Sequence, residues 1–499
     1  MGSAKILVVG RALGLLAAFG AFVAIAAAYG ASADTDAFFC AYAVPNAFLI
    51  VAGAILPQTF VGAWTRIERL EGGPSARRFA AACFNLTALA LIALSVASVL
   101  AAPALAGLVA PGLGSDQAGE VVRQLRWLAP VILFGGLANL AKGILNARFI
   151  FFTPSLDTLA TYSLVILAVA LGAGAWGIGA LILGTVLGNL FRIGVMGADL
   201  LKAGWMPALS HPGVAAWGAM LGPLAVGASV FGLNFVLMQS LVSMSLEPNA
   251  VSTFGYADRL VRVPTELVAA TIGTALLPAA AAWHVAGDQA ELGQVTSKAV
   301  RGALLLLIPA AAGIMALSEP LTRLVYQHGA FSAADSKATA GVLFWLALVL
   351  PGHCFIVVGQ AYFAMGRIWP VIAMWCAITV LTAGLGWFLV DSMGARGVAL
   401  SYSIATLVAA VGGVAALWRT ARIPIRSVAT SAGRMAVAAA LMGGLVAGGW
   451  DYMQRWNWGT GKLDTAIALA LLAVLGAGIY AGVMRLLGAP EWSEVRRHL

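Results

Sequence analysis

Long apolar runs dominate this chain, and its polar residues are concentrated in the short segments between those runs. A membrane-spanning helix needs about 20 apolar residues, whereas a strand of a membrane barrel alternates apolar and polar positions. The runs are continuous and show no such alternation, so we interpret them as helices. The predicted helices cover residues 5–29, 36–63, 79–102, 124–147, 156–175, 178–201, 217–245, 250–281, 300–318, 339–365, 369–390, 397–417, 433–450 and 464–486. The pattern therefore predicts an all-α integral membrane protein with 14 transmembrane helices.

The composition excludes an ordinary soluble protein. Hydrophobic residues occupy 61% of the 499 positions, and charged residues only 10%. Soluble domains carry about 25% charged residues, and a single soluble core does not bury an apolar chain of this length. The composition therefore agrees with the helix pattern, and the membrane is the expected environment of most of the chain.

The net charge of +9 is distributed unevenly between the two sides of the predicted helices. With the N-terminus in the cytoplasm, most lysines and arginines fall on the cytoplasmic side, for example Arg77, Arg78, Arg419 and Arg422. This asymmetry follows the positive-inside rule. It explains the basic character without a nucleic-acid partner and predicts that both termini are cytoplasmic.

Several motifs recur in the same order in the two halves of the chain. Val44-Pro45 recurs as Val263-Pro264, Pro57 as Pro278, Pro103 as Pro320 and Pro154 as Pro370. Because each copy would contain an even number of helices, the copies keep one orientation, and we expect a substrate site between them. The predicted organisation is an N-lobe (1–202, helices 1–6), a cytoplasmic linker (203–216), a C-lobe (217–418, helices 7–12), helices 13 and 14 (431–487) and a cytoplasmic tail (488–499).

The eighth predicted helix carries a cluster of charges in the segment GYADRLVRVPTELVAATIGTALLP (255–278). A charge near the bilayer centre costs about 2.5–3.5 kcal/mol on insertion scales, so such groups face the protein interior or a wet cavity. Arg259, Arg262 and Glu266 are spaced to share one helix face. One interpretation is an internal ion pair, Arg262 with Glu266 and Asp258 with a neighbour, that lets the helix insert. The other is a cationic wall whose guanidinium groups bind phosphate.

Two ionisable residues near the N-terminus are also candidates for the site. Arg11, about one turn into helix 1, either extends to the lipid headgroups or lines the site. Asp36, at the start of helix 2, either caps its own helix or lines the site.

The sequence contains no recognisable catalytic or metal-binding motif. It lacks a G-x-S-x-G motif, a phosphate-binding loop with its lysine and an H-E-x-x-H motif. The four cysteines have no C-x-x-C spacing, and the five histidines are scattered. We therefore predict a transporter that works by alternating access, and not an enzyme, with no cofactor and no bound metal.

Several of these motifs resemble those of the lipid II flippase (MurJ/MviN) family. The segment GASADTDAFFCAYAVPN (30–46) is similar to that family's helix 1–2 signature, and YADRLVRVP with IGTALLP (256–278) is similar to its helix 8 signature. RALG (11–14), ILNARFIFFTPSL (144–156) and LTRLVYQHGAF (321–331) also fit. The resemblance extends from helix 1 to about helix 12. It implies the two-lobed fold of the MOP exporters, with helices 13 and 14 appended, in a bacterial cytoplasmic (inner) membrane.

The resemblance also implies a function and a set of site residues. The family moves an undecaprenyl-pyrophosphate-linked peptidoglycan precursor, lipid II, from the inner to the outer leaflet. Arg11 in RALG, Asp36 in TDAF and Arg259 in YADR match functional residues of the family. Where the family often has an acid three residues after the YADR arginine, this chain has Arg262, with Glu266 one turn later. We expect these five residues to bind the substrate.

Other positions depart from the family pattern. An arginine pair usual after the helix 2 Pro-Asn is replaced by Leu49 and Ile50, and an Arg and Asp at the start of helix 11 by Ala364 and Gly366. These losses leave alternatives open: a flippase for another lipid-linked oligosaccharide of the O-antigen or exopolysaccharide type, a MATE-like cation-coupled antiporter, a membrane enzyme such as a glycosyltransferase, or a scaffold that no longer transports. The expected partners are a lipid-linked pyrophosphate saccharide and membrane lipid, and the expected state is a monomer.

Overall fold

The computed structural model describes residues 2–202, 207–269, 272, 274–456, 458, 459, 461–489 and 491, and within them the chain is helical without a β-strand. The helices, in chain order, are α1 (Gly2–Tyr29), α2 (Ala33–Glu71), α3 (Gly73–Leu100), α4 (Ala102–Val109), α5 (Ser115–Leu128), α6 (Pro130–Ala147), α7 (Phe152–Ser155), α8 (Asp157–Trp176), α9 (Ile178–Lys202), α10 (Pro212–Ser243), α11 (Ala250–Val268), α12 (Thr274–Val285), α13 (Gln289–Ala316), α14 (Ser318–Tyr326), α15 (Ala333–Leu346), α16 (Val349–Gly352), α17 (Phe355–Ala364), α18 (Trp369–Met393), α19 (Ala395–Ala421), α20 (Ile425–Arg455) and α21 (Lys462–Leu486).

Thirteen helical segments of the described chain are long and apolar enough to cross a membrane. The predicted span at 250–281 is not among them, because its first half is α11, the helix that carries the charge cluster. Residues 270, 271 and 273, between α11 and α12, lie outside the described part of the chain. The all-α membrane fold is therefore confirmed, whereas the number of 14 spans stays a prediction.

Corresponding turns have the same backbone geometry in the two halves. Gly177 joins α8 to α9 with φ 51° and ψ −138°, and Gly394 joins α18 to α19 with φ 59° and ψ −140°. Only glycine adopts this region readily, so both hairpins depend on it. Gly30 and Asn249, which precede α2 and α11, also share a positive φ, of 61° and 55°. These matched turns support the predicted duplication.

The chain divides into two compact units, which are not the same as the predicted lobes. Unit 1 comprises Met1–Ser252 and His328–Phe331, and unit 2 comprises Thr253–Gln327 and Ser332–Leu499. Helix α10, predicted to open the C-lobe, packs against α2 in unit 1, where Trp217 Nε1 donates to Thr59 Oγ1 at 3.1 Å. A unit is a packed body and a lobe is a duplicated segment, so the lobe boundaries stay a prediction. Of the predicted linker, residues 203–206 lie outside the described residues, and α10 begins within the remainder.

In unit 1, glycines let α1 approach the start of α8 closely. A Cβ atom at Gly10 would lie 2.5 Å from Ser155 Oγ, and one at Gly14 would lie 2.9 Å from Thr158 Cβ. Small residues four positions apart are typical of close helix contacts in membranes. Gly10 therefore lets α1 approach α7, and Gly14 of the RALG motif lets it approach α8.

In unit 2, the C-terminal helices are held by a buried ion pair. Arg301 Nη1 of α13 donates to Glu491 Oε1 at 2.8 Å, and Ser431 Oγ of α20 donates to the same oxygen at 2.6 Å. Both charged side chains are less than 10% exposed. The predicted cytoplasmic tail, 488–499, therefore includes a side chain packed into the protein, that of Glu491. Residues 490 and 492–499 lie outside the described residues.

Candidate functional site

A polar cluster inside unit 1 is centred on Asp157, the first residue of α8. Its Oδ2 accepts a hydrogen bond from Lys142 Nζ at 2.9 Å and another from Arg192 Nη2 at 3.4 Å. The carboxylate and the guanidinium are only 10% and 12% exposed, and Lys142 is 34% exposed. One buried carboxylate therefore holds two cations from α6 and α9.

Two asparagines orient the Arg192 guanidinium within this cluster. Asn189 Oδ1 accepts from Arg192 Nη1 and Asn139 Oδ1 accepts from Arg192 Nη2, each at 3.2 Å. The amide of Asn139 in turn donates to the backbone oxygen of Leu49 at 3.4 Å. Leu49 is a position at which the resemblance implies an arginine, and Asn139 links this position on α2 to a cation from α9.

Arg11 lies at the same end of unit 1 as this cluster. Its neighbours Gly10 and Gly14 contact Ser155 and Thr158, which flank Asp157 along the chain. Arg11 is exposed, and it forms no ion pair with any residue that the structure describes. Arg11 and Asp36 were both expected to bind the substrate. Eighteen residues of α1, about 27 Å by helix rise, separate Arg11 from the end of α1. Arg11 and Asp36 therefore belong to different places in unit 1.

Asp36 does not cap its own helix, contrary to one of the two interpretations. Helix α2 begins at Ala33 and is capped by Ser32, whose hydroxyl accepts from Thr35 in a capping box. The Asp36 carboxylate instead accepts a hydrogen bond of 2.7 Å from the backbone nitrogen of Ser252, in the first turn of α11. Its side chain is buried, with 4% of its surface exposed.

The charge cluster of α11 contains an ion pair, with a different partner from the one expected. Arg262 Nε donates to Asp258 Oδ2 at 2.6 Å, one turn earlier on the helix. Asp258 is thus a partner of Arg262, whereas the expected pairing assigned Arg262 to Glu266 and Asp258 to another neighbour. The Arg262 side chain keeps 40% of its surface exposed.

Arg259 and Glu266 are placed differently from Arg262 on the same helix. Arg259 is 8% exposed, and a tyrosine pair packs in the same region of unit 2, where Tyr326 Oη donates to the backbone oxygen of Tyr256 at 3.1 Å. Glu266 is half-buried. Arg259, Arg262 and Glu266 thus lie on α11 in unit 2, whereas Arg11 and Asp36 lie in unit 1.

A polar contact in the neighbourhood of Arg262 was not anticipated from the sequence. His353 Nδ1 is 2.7 Å from Thr265 Oγ1, and its Nε2 is 3.4 Å from Tyr402 Oη. The three residues belong to α11, the turn after α16, and α19, so no local spacing in the sequence links them. An isolated histidine within an apolar run was the available signal.

The Asp157 cluster was not predicted from the sequence either. Lys142 and Arg192 both lie several residues inside their helices. Charge inside a predicted span is the signal that marks such residues as functional candidates.

Unit 2 also contains an apolar cavity of about 650 Å³ between α13, α20 and α21. Leu306, Met442 and Leu472 are among its lining residues, and Pro264 of α11 borders it. The apolar lining of this cavity suits a hydrocarbon ligand.

No group of three or more His, Cys, Asp or Glu in the described residues is arranged to hold a metal ion.

Comparison with known proteins agrees with the all-α membrane fold. The family described as "Lipid II flippase MurJ" matches residues 25–467. A lipid II flippase MurJ of Burkholderia cenocepacia is 31% identical over 397 residues, which cover 76% of each chain. The solved structure of a lipid II flippase MurJ in an inward closed conformation superposes with a TM-score of 0.79 and 20% identity, covering 97% of this chain and 99% of that one. An inward-facing multidrug resistance MATE family transporter of the MOP superfamily shares the fold, with a TM-score of 0.70 and 16% identity over 82% of this chain and 94% of that one. The family match over most of the chain, together with this fold, makes the chain a member of the lipid II flippase MurJ family.

Proposed function

We propose that this chain moves lipid II, a polyprenyl-pyrophosphate-linked peptidoglycan precursor, from the inner to the outer leaflet of a bacterial cytoplasmic membrane. Family membership and the named relatives support this substrate. The duplicated membrane fold supports alternating access as the mechanism. The proposal includes a monomer with both termini in the cytoplasm.

The observation that carries the proposal is the hydrogen-bonded link from Arg192 through the Asn139 side chain to the backbone oxygen of Leu49. In the cluster of unit 1, the cations Lys142 and Arg192 outnumber the single carboxylate of Asp157, and Arg11 lies at the same end of the unit. The excess positive charge suits a pyrophosphate, and a guanidinium can bind such a group through two parallel hydrogen bonds. We propose that α6 and α9 supply the charge that α2 lacks at Leu49 and Ile50.

The residues of α11 form a separate cationic group in unit 2. Arg262 is partly exposed, and Asp258 accepts a hydrogen bond from its Nε. Arg259 contributes a second, more buried cation, and Glu266 offers a carboxylate to saccharide or peptide groups of the substrate. Asp36 acts indirectly, through the first turn of α11.

The polyprenyl tail needs an apolar path while the headgroup crosses. The cavity between α13, α20 and α21 offers one, and it is formed mainly by the two helices that lie beyond the duplicated segments. We propose that this cavity holds part of the tail. The headgroup then moves through a polar interior without the hydrocarbon being pulled out of the membrane.

Complementation tests the function directly. A bacterium whose resident lipid II flippase is depleted should grow when it expresses this chain. The Arg192→Ala variant should fail to support growth, whereas the control Lys202→Ala should support it, because Lys202 is 80% exposed near the end of the same helix.

Two results separate the competing functions. No growth from the wild-type chain, together with rescue of a strain that lacks an O-antigen or exopolysaccharide flippase, would assign the chain to another lipid-linked oligosaccharide. Growth that is unaffected by Arg192→Ala would leave the function standing and remove the proposed role of the unit 1 cluster.

A further inference from the structure

A second cavity, of about 360 Å³, lies in unit 1 at the end of the bundle where α2 and α9 end and α3 begins. Its wall is largely apolar and includes Trp64, Phe84, Ile144 and Leu200. Small residues create the space: a Cβ atom at Gly197 would meet nothing within 4 Å. The volume is within the range of cavities that bind small ligands.

Two arginines are the only charged residues among the described residues that line this cavity. Arg77 follows the start of α3, and Arg148 follows the end of α6. The Arg148 Nη1 atom is buried without a hydrogen-bond partner among the described residues. A buried guanidinium nitrogen that lacks an acceptor is costly, so the site favours an anionic ligand that can supply one.

The acidic residues of the same region are already engaged. Glu68 accepts a hydrogen bond from Trp64 Nε1 at 3.0 Å, and Glu71 accepts one from Ser75 Oγ at 2.5 Å. Among the described residues, neither Arg77 nor Arg148 forms an ion pair. The cationic mouth of the cavity therefore keeps its charge.

The cavity opens toward the surface of unit 1 at a level that suits a lipid headgroup. Leu201 on its rim is 69% exposed, and next to Arg148 the side chains of Phe149 and Phe152 are 83% and 58% exposed. Exposed Phe and Leu side chains suit contact with lipid at the boundary between headgroups and acyl chains. In the orientation predicted by the positive-inside rule, this end of unit 1 lies in the cytoplasmic leaflet.

We propose that this cavity binds an anionic glycerophospholipid of the cytoplasmic leaflet. An acyl-chain segment fills the apolar part, and the phosphate lies between Arg77 and Arg148, where the guanidinium groups donate hydrogen bonds to it. Basic pockets between transmembrane helices on the cytoplasmic side bind anionic headgroups in this way. The site is separate from the Asp157 cluster and does not depend on which substrate is transported.

Native mass spectrometry of the full-length protein tests the site. The purified protein is exchanged into mixtures of phosphatidylglycerol and phosphatidylcholine with matched acyl chains, and the retained lipid is counted. The wild type should retain phosphatidylglycerol preferentially. Arg148→Ala and Arg77→Ala should each weaken that retention by about tenfold or more, because each removes charge-assisted hydrogen bonds.

A matched pair of glycine variants tests the cavity itself. Gly197→Leu fills the space and should abolish the preference, whereas Gly194→Leu should preserve it. Gly194 lies on the same helix, also has open space at its Cβ position and does not line the cavity. Arg77 is exposed, so Arg77→Ala should fold normally and provides the readout if Gly197→Leu does not.

Two results would overturn the proposal. One is equal retention of the two lipids by the wild type, or unchanged preference in both Arg77→Ala and Arg148→Ala. The other is displacement of phosphatidylglycerol by added lipid II in the wild type but not in Gly197→Leu, which would show that the cavity belongs to the substrate path. Neither result bears on whether the chain complements a flippase-depleted strain.

Discussion

The carboxylate of Asp36 accepts a hydrogen bond of 2.7 Å from the backbone nitrogen of Ser252, and both residues are buried. Ser252 lies in the first turn of α11, where backbone N–H groups have no partner within the helix. The residue that precedes α11, Asn249, donates its side-chain amide to Ala31 O at 2.8 Å. An acid on α2 therefore caps the helix that carries Arg259 and Arg262.

This relationship predicts different results for two substitutions of Asp36. Asp36→Ala leaves the buried Ser252 N–H without an acceptor and should destabilise the protein by about 1–3 kcal/mol. Asp36→Asn keeps an oxygen acceptor and should lose much less. Thermal unfolding in detergent, with flipping measured in proteoliposomes, checks both. If Asp36→Asn lost as much flipping as Asp36→Ala while remaining as stable as the wild type, the charge would bind substrate directly.

Arg262 should contribute to transport beyond neutralising Asp258. Arg262→Ala removes a charge-assisted donor and should weaken substrate binding by about tenfold or more. Arg262→Lys should retain part of the activity, because it keeps the charge and loses the planar geometry. Concentration-dependent flipping of a labelled lipid II in proteoliposomes provides the measurement.

The double variant Asp258→Ala/Arg262→Ala separates the two roles of this pair. It removes the acid together with its counter-charge, so a purely structural ion pair would be dispensable in it. We expect the double variant to remain as impaired as Arg262→Ala. The exposed Arg123→Ala is the control for loss of an arginine, since the Arg123 side chain is 63% exposed. Full recovery in the double variant would limit Arg262 to helix insertion.

An arginine introduced on α2 should partly replace the positive charge that Arg192 supplies from α9. Arg192→Leu should abolish flipping, and adding Leu49→Arg in that background should restore part of it, because Asn139 links the two positions. Leu49→Arg alone should reduce stability by placing a further cation near Arg192 and Lys142. Growth of a flippase-depleted strain and thermal unfolding measure the two effects. A double variant as inactive as Arg192→Leu would show that the charge cannot be supplied from α2.

The sequence could predict the helices because the segments that cross lipid as helices are continuously apolar. The apolar run of α18, for example, lacks the alternation of a barrel strand. It could also identify the charges of α11, since a charge in an apolar run is conspicuous. Each of these features is decided within a few residues.

The sequence could not identify contacts that depend on how helices pack. The partners of Asp157 come from α6 and α9, and the partner of Asp36 lies more than two hundred residues away. The choice of Asp258 over Glu266 as the partner of Arg262 was equally undetermined, because both are four residues from it and both suit a helix. Spacing alone does not decide between such partners, whereas side-chain conformation and neighbouring helices do.

The buried pair of Arg301 and Glu491 should be important for stability. Removing one partner of a buried ion pair leaves an uncompensated charge and costs about 3–5 kcal/mol. Glu491→Ala should therefore lower the thermal unfolding midpoint markedly, whereas Lys202→Ala should leave it almost unchanged, because its ion pair is exposed. An unfolding midpoint for Glu491→Ala equal to that of the wild type would show that the C-terminal segment does not hold α13 and α20 together.

The membrane potential should drive the proposed transport. An interior-negative potential favours outward movement of an anion by about 2.3 kcal/mol per charge per 100 mV. A pyrophosphate that is only partly neutralised by the cations of unit 1 and α11 therefore moves outward with a favourable electrical free energy. Flipping in proteoliposomes with an imposed potential should slow when an ionophore dissipates that potential. The same treatment should have less effect on a variant with one further cation in the site, such as Ile50→Arg, because the moving complex then carries less net negative charge. Equal rates with and without the potential would assign the driving force to another source.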